Sequence, residues 1–284
     1  MLSVRAHKPV DADIVTVLRA VEGVTSQLGV AYFLVGATAR DVLLVHVFGL
    51  PPGRATRDVD FALVMPDWAT FEEVKAQLQA AGQFAVDERS AHRLRFKRTG
   101  EKHGVVVDLI PFGGVAENKS IIKWPPDLMI IMTITGFEDA FRAAIPVEIE
   151  NNLVVSVASF PGLALLKLFA WKDRQAEDPK DAIDLVTLLC NYEQIGNQDR
   201  IYDEAVQVLE EMDYDPQLAG AWLLGKDAAE IAAAKTRTEL NVILGDAAIM
   251  ELLITDMAKG LRGREDSITY ATILATQFKL GFGG

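Results

Sequence analysis

Two apolar runs in this chain carry carboxylates where a buried strand has no ordinary use for them. "TRDVDFALV", Thr56 to Val64, places Asp58 and Asp60 two residues apart, and "VVVDLIPF", Val105 to Phe112, places Asp108 in the middle of a second run. Short runs of this composition read as strands covered on both faces, which constrains the fold to a sheet flanked by helices. Side chains alternate along a strand, so Asp58 and Asp60 share one face while Val59, Phe61 and Leu63 share the other. Two adjacent carboxylates raise each other's pKa unless a cation lies between them, and a hard divalent ion such as Mg²⁺ suits oxygen ligands. The alternative is that Asp58 caps the strand entry and Asp60 pairs with Arg54 or Arg57.

An unpaired charge at Asp108 would cost on the order of several kcal/mol, so it too needs a partner. If the two strands lie side by side, the three aspartates form a cluster able to hold two metals, the arrangement used for in-line phosphoryl or nucleotidyl transfer. Upstream, "LVGATARD" sets a strand, a glycine turn at Gly36 and a helix start in succession. Such a helix start offers N–H groups to phosphate, and Thr38 could add a hydroxyl; an ordinary strand-to-helix turn has the same pattern.

The rest of the chain sorts into two parts. Helical spacing covers Val10 to Gly29, "ATARDVLLVHVFG" reads as a helix closed by Gly49, and a further helix runs from an N-cap at Asp67 to Gly82. From His92 to Arg98 the residues alternate, Leu94 and Phe96 against Arg93, Arg95 and Lys97, and "VEIENNLVVSVA" has the form of a hairpin. Beyond Phe160 nearly everything is helical, with breaks near Gly196, Pro216, Gly245 and Gly263. The expectation is an α/β (α+β) domain of mixed sheet over residues 1–158 and a helical domain over 159–284.

Composition limits the function classes. The single cysteine, Cys190, excludes an internal disulfide and a multi-cysteine zinc site. No apolar run is long enough to span a bilayer and the start lacks a signal-peptide core, which reads as cytoplasmic. The net charge of −12 divides into 16 basic against 19 acidic residues up to Phe160, and 12 against 21 beyond it. Polyanion binding therefore needs a local patch, and Arg89 to His103 is the candidate.

The succession "LVGATARD", "TRDVDFAL", "VVVDLIPF" resembles the nucleotidyltransferase superfamily of DNA polymerase beta, the CCA-adding enzymes and the small antibiotic-modifying nucleotidyltransferases. A second block, "GLALLKLFAWKDRQAEDPKDAIDLVTLL" from Gly162 to Leu189, is similar to the abortive-infection type nucleotidyltransferase toxins. The resemblance implies transfer of a nucleoside monophosphate from a triphosphate to a hydroxyl, with two Mg²⁺ ions on Asp58, Asp60 and Asp108. It implies that Gly36, Ala37 and Thr38 flank the triphosphate, that Lys167 contacts its phosphates, and that Asp181 or Asp184 supports the site from the next helix. The helical domain would then complete a nucleotide cleft. Ala37 departs from the family's Gly or Ser, and Arg40–Asp41 matches a dipeptide of the CCA-adding enzymes, although a helix-surface ion pair fits both residues.

The residues of the second block agree without the family. Lys167 falls in an apolar stripe of Leu163, Leu166, Phe169 and Ala170, so it must reach outward or meet an anion. Asp178 is a suitable N-cap before Pro179, and Asp181 and Asp184 share a helical face. For the acceptor, RNA met by Arg93, Arg95 and Lys97 stands beside a small molecule or protein. An antitoxin protein is an implied partner, and a catalytically silent binding member is a third possibility.

Overall fold

Asp11 starts the first helix by accepting the N–H of Asp13, and Gly29, at φ 66°, ends it by folding its own N–H back onto Ser26 and Thr25. In this computed structural model, which describes residues 1–54, 56–87, 90–98 and 104–283, the chain forms two units, Met1–Ala158 and Ser159–Gly284. The first unit contains strands β1 (Leu2–Ser3), β2 (Tyr32–Val35), β3 (Asp58–Met65), β4 (Phe84–Val86), β5 (Arg93–Phe96), β6 (Val105–Gly113), β7 (Ile121–Lys123), β8 (Ile131–Thr133), β9 (Ile145–Glu150) and β10 (Leu153–Val157). Its helices are α1 (Ala12–Leu28), α2 (Gly36–Asp41), α3 (Trp68–Ala80) and α4 (Phe137–Arg142).

Eight strands make one mixed sheet in the order β1-β9-β10-β2-β3-β6-β5-β4. The centre is the expected pair: β3 and β6 run parallel, and Val59, Phe61, Leu63, Val107 and Leu109 are fully buried. The β9–β10 hairpin turns through Asn151–Asn152, with Asn152 at φ 65°. Asp67 caps α3 through the N–H of Thr70.

Two local expectations are corrected here, and one further element appears. "ATARDVLLVHVFG" is not one regular helix: after α2 the backbone widens into a π-helix over Val42–Val47. Phe48 N–H reaches back five residues to Leu43, and the N-terminal strap accounts for nearby carbonyls, Arg5 donating to His46 and Val47 and Lys8 to Gly49. β5 stops at Phe96, which leaves Lys97 outside the strand. The small antiparallel sheet β7–β8 was not anticipated, because its three-residue strands flank "WPPDLMI" and carry too little periodicity.

The second unit is helical throughout: α5 (Phe160–Arg174), α6 (Lys180–Asn191), α7 (Gln198–Glu204), α8 (Val206–Glu211), α9 (Pro216–Ile231), α10 (Ala234–Gly245), α11 (Ala247–Ala258) and α12 (Ser267–Gly283). Pro179 occupies the cap position of α6 in place of Asp178, whose carboxylate instead accepts the N–H of Lys180 at 3.0 Å. α9 and α12 press backbone against backbone, for a Cβ at Gly225 would lie 2.1 Å from the carbonyl oxygen of Phe278 and one at Gly281 2.0 Å from that of Trp222. No helix among the described residues is long and apolar enough to cross a membrane.

Glycine in a helix normally costs about 0.5–1 kcal/mol against alanine. Gly23→Ala, where nothing lies within 4 Å of the new Cβ, should therefore stabilise the protein by about that amount. At Gly225 the overlap outweighs the propensity gain, and Gly225→Ala should destabilise by about 1–3 kcal/mol. Urea denaturation of the two variants would show shifts of opposite sign, and equal shifts would reject the close α9–α12 contact.

Candidate active site

Register brings the acidic residues together. Val35 on β2 stands opposite Asp60 on β3, Asp60 stands beside Asp108 on the parallel strand β6, and Asp108 faces Arg93 on β5. One row across four strands thus reads Val35, Asp60, Asp108, Arg93, and adjacent members lie about 5 Å apart across the sheet. Gly36 follows Val35 at φ 70°, and a Cβ there would fall 2.0 Å from Oδ2 of Asp60, so only glycine lets the β2–α2 turn sit against that carboxylate. Asp58 is exposed, Asp60 half-buried and Asp108 buried.

The partners differ in kind. Arg93 grips Asp108 with a two-pronged contact, Nε to Oδ1 at 2.7 Å and Nη2 to Oδ2 at 2.8 Å. This bond, with further attraction from Asp58 and Asp87, raises the guanidinium pKa above its ordinary value. His92 Nε2 is 3.9 Å from Asp108 Oδ1, and its ring packs 5.3 Å from Trp124, which in turn meets Trp68 and Phe71. The hydroxyl of Thr38 donates to the backbone carbonyl of Asp58 at 2.6 Å, pinning α2 to the start of β3.

Arg40 is not on a helix surface. It is 1% exposed, donating through Nε to Asp41 at 2.8 Å and through Nη2 to the carbonyl of Arg54, so it ties α2 to the segment entering β3. Ala37 is buried in the same turn. Thr38 also lines a cleft of about 360 Å³ together with Asp11, Ile14, Asp41, His46 and Thr56.

Arg93 and Arg95 do share a strand face, but both are engaged, Arg95 pairing with Asp87 at 2.8 Å. Of the Arg89–His103 stretch, Arg89 and residues 99–103 lie outside the described residues. Among the described residues, no group of three or more His, Cys, Asp or Glu side chains is arranged to hold a metal ion. The donor set nevertheless fits a hard cation. Asp60 and Asp108 are in register and their donors are carboxylate oxygens, the ligand type that a hard divalent ion takes.

In the second unit Lys167 meets anions and does not reach outward. Its ammonium donates to Asp181 at 2.9 Å and Asp184 at 2.6 Å, and Arg174 donates to Asp181 at 2.5 Å. Burial pushes the Lys167 pKa down, yet attraction to Asp181 and Asp184 outweighs it and the net shift is upward. For Asp181 burial acts upward and the attraction of Lys167 and Arg174 prevails, so the pKa is lowered. Cys190 is an inert thiol by comparison, pushed up to about 11 by burial.

Strand–glycine turn–helix, followed by D-x-D on a central strand in register with an aspartate on its parallel neighbour, defines a nucleotidyltransferase-type domain. A family model for the nucleotidyl transferase AbiEii toxin of type IV toxin–antitoxin systems matches residues 19–273. The chain belongs to this family and is a nucleotidyltransferase. Among solved structures it is similar to an antigenic nucleotidyltransferase-like protein from Paracoccidioides brasiliensis, with 15% identity, TM-score 0.43, and coverage of 72% of this chain and 93% of that one. It is also similar to the antibiotic-resistance factor ANT(2'')-Ia, with 14% identity, TM-score 0.40, and coverage of 72% and 99%. The CCA-adding enzyme of Thermotoga maritima in complex with tRNA matches at 12% identity, TM-score 0.26, over 98% of this chain and 82% of that one. No curated protein sequence matches significantly.

Lys167→Met leaves two buried carboxylates without their lysine and should cost about 3–5 kcal/mol in a denaturant titration. A loss below about 1 kcal/mol, the range of an exposed pair, would show that the cluster is not buried in solution. The stabilising contribution of Asp181, whose folded pKa is depressed, is complete above its ordinary 3.8 and is lost as pH falls through the lowered folded value. The stability gap between wild type and Asp181→Asn should therefore be flat near neutrality and narrow only as pH falls below 3.8 and through the lowered folded value; narrowing already at neutral pH would contradict the depressed pKa.

Proposed function

We propose that this protein is a Mg²⁺-dependent nucleotidyltransferase that moves a nucleoside monophosphate from a triphosphate to an acceptor hydroxyl. The observation that carries the proposal is the register of Asp60 with Asp108, with the Gly36 turn seated against Asp60. Asp58, Asp60 and Asp108 would hold the ions, which when bound would activate the attacking hydroxyl and neutralise the departing pyrophosphate. Asp108 sits deepest, so its carboxylate has the most restricted orientation and sets the position of the acceptor oxygen. Asp58, at the exposed end of the pair, meets the incoming phosphates first. Gly36, Ala37 and Thr38 would flank the triphosphate, with the Thr38 hydroxyl holding the turn against β3 as it does in the free chain.

The nucleotide-binding role of Lys167, Asp181 and Asp184 stays within the proposal in modified form. Two of the three ammonium donors of Lys167 are engaged by carboxylates, so its first task is to position Asp181 and Asp184.

RNA is the first acceptor of this reading, with the exposed side chains of Arg95 on β5 and Lys97 just beyond it as its contacts. A small-molecule acceptor is the second reading, supported by the net charge of −12 and by the carboxylate partners already held by Arg93 and Arg95. A protein antitoxin is the partner expected for a toxin of this class.

Incubation with each α-labelled nucleoside triphosphate and total RNA, protein extract or small metabolites should give label in one acceptor class. Asp60→Ala should remove transfer by about 10²-fold or more while leaving the melting temperature within a few degrees, because a half-exposed carboxylate is replaced. Undiminished transfer by this variant would refute the site, and label confined to protein or small molecules would refute the RNA acceptor.

A further inference from the structure

One carboxylate that the proposed reaction needs is already held on both oxygens. Asp108 presents both oxygens to Arg93 at 2.7 and 2.8 Å, the atoms that would otherwise face an ion shared with Asp60. A guanidinium in that place repels any divalent cation brought to the same carboxylate, so occupancy by one disfavours the other. The pair is also asymmetric in freedom: the side chain of Asp108 is 11% exposed and that of Arg93 33%. Asp108 is fixed in the middle of β6, flanked by the buried Val107 and Leu109, whereas Arg93 begins β5 with a third of its side chain exposed. The movable member is the arginine.

We propose that Arg93 is a further residue of the site, a resident counter-ion that holds Asp108 in the metal-free chain and hands it over when metal and triphosphate arrive together. This rests on the proposed function. A triphosphate supplies what the exchange requires, since phosphate oxygens match the planar two-donor fork of arginine as well as a carboxylate does. Arg93 would exchange Asp108 for a phosphate, Asp108 would be freed to help hold the ion with Asp60, and neither charge would be left unpaired. The consequence is reciprocal coupling: the metal alone binds weakly, and metal and triphosphate strengthen each other. His92, 3.9 Å from Asp108, and the Trp124 ring against it form the wall that keeps the carboxylate in place while its partner changes.

Mn²⁺ binding to the full chain, measured by electron paramagnetic resonance with and without the α,β-methylene analogues of the four nucleoside triphosphates, tests the exchange. Wild type should bind Mn²⁺ about tenfold or more tightly once the correct analogue is present. Arg93→Met should bind Mn²⁺ alone about tenfold more tightly than wild type and lose most of that coupling. Arg93→Lys, which keeps the charge and loses the fork, should fall between them and decides the matter if the methionine variant fails to fold. Asp60→Ala corrects for ions held elsewhere on the acidic surface. If wild type shows coupled Mn²⁺ and analogue binding but neither Arg93 variant gains affinity for Mn²⁺ alone, the counter-ion role is wrong while the proposed function stands. If wild type binds no Mn²⁺ through Asp60 with any analogue, both fall.

Discussion

A carboxylate in the middle of a buried strand must be neutralised, and in this protein that requirement organises the first unit. Asp108 is set by β6 where no water can solvate it fully, so the neighbouring strands supply its surroundings: β5 brings Arg93 opposite, β3 brings Asp60 alongside, and β2 ends in a glycine that makes room for Asp60. Moving β3 by one residue relative to β6 would turn its aspartates to the other face and its Val59, Phe61 and Leu63 out of the core. The hydrophobic pattern that holds the sheet is thus also what holds the acidic row in register. Arg40, buried beneath α2, and the Thr38 hydroxyl fasten the glycine turn to the same strand, so the polar contacts of the turn converge on β3.

The second unit answers the same physical problem with the signs exchanged. There the intruding charge is a lysine in an apolar helical stripe, and α6 supplies two aspartates three residues apart to receive it. An ion cluster of this type is a weak source of net stability, because desolvation offsets most of the attraction, but it tolerates no loss of a single partner. It also constrains packing, since α5 and α6 must dock so that Lys167 meets Asp181 and Asp184 together.

Charge also bears on the acceptor. A surface carrying a net −12 repels a polyanion, and in the basic stretch that would oppose this Arg98 is bound to Asp13 and, on β5, Arg93 and Arg95 are bound to carboxylates. An RNA approaching β5 would have to compete with Asp108 and Asp87 for those side chains.

The residues themselves determined a good deal: strands at β2, β3 and β6, the helix over Val10 to Gly29, the N-cap of α3, the β9–β10 hairpin, and the family to which the chain belongs. These follow from signals local to a few residues, alternation, side-chain caps and a D-x-D spacing, and the caps act within a turn of where they stand. Tertiary structure decided which charge meets which. Arg93 and Asp108 are 15 residues apart and Lys167 and Asp184 are 17 apart, and nothing in local pattern distinguishes a strand arginine that faces solvent from one that faces a carboxylate on the next strand. The burial of Arg40 and the widening of the helix over Val42–Val47 were hidden for the same reason, since the carbonyls that arrange them belong to Arg54 in one case and to groups reached by Arg5 and Lys8 in the other. Periodicity reports which face of an element is apolar; only the assembled neighbours determine where a buried charge finds its partner.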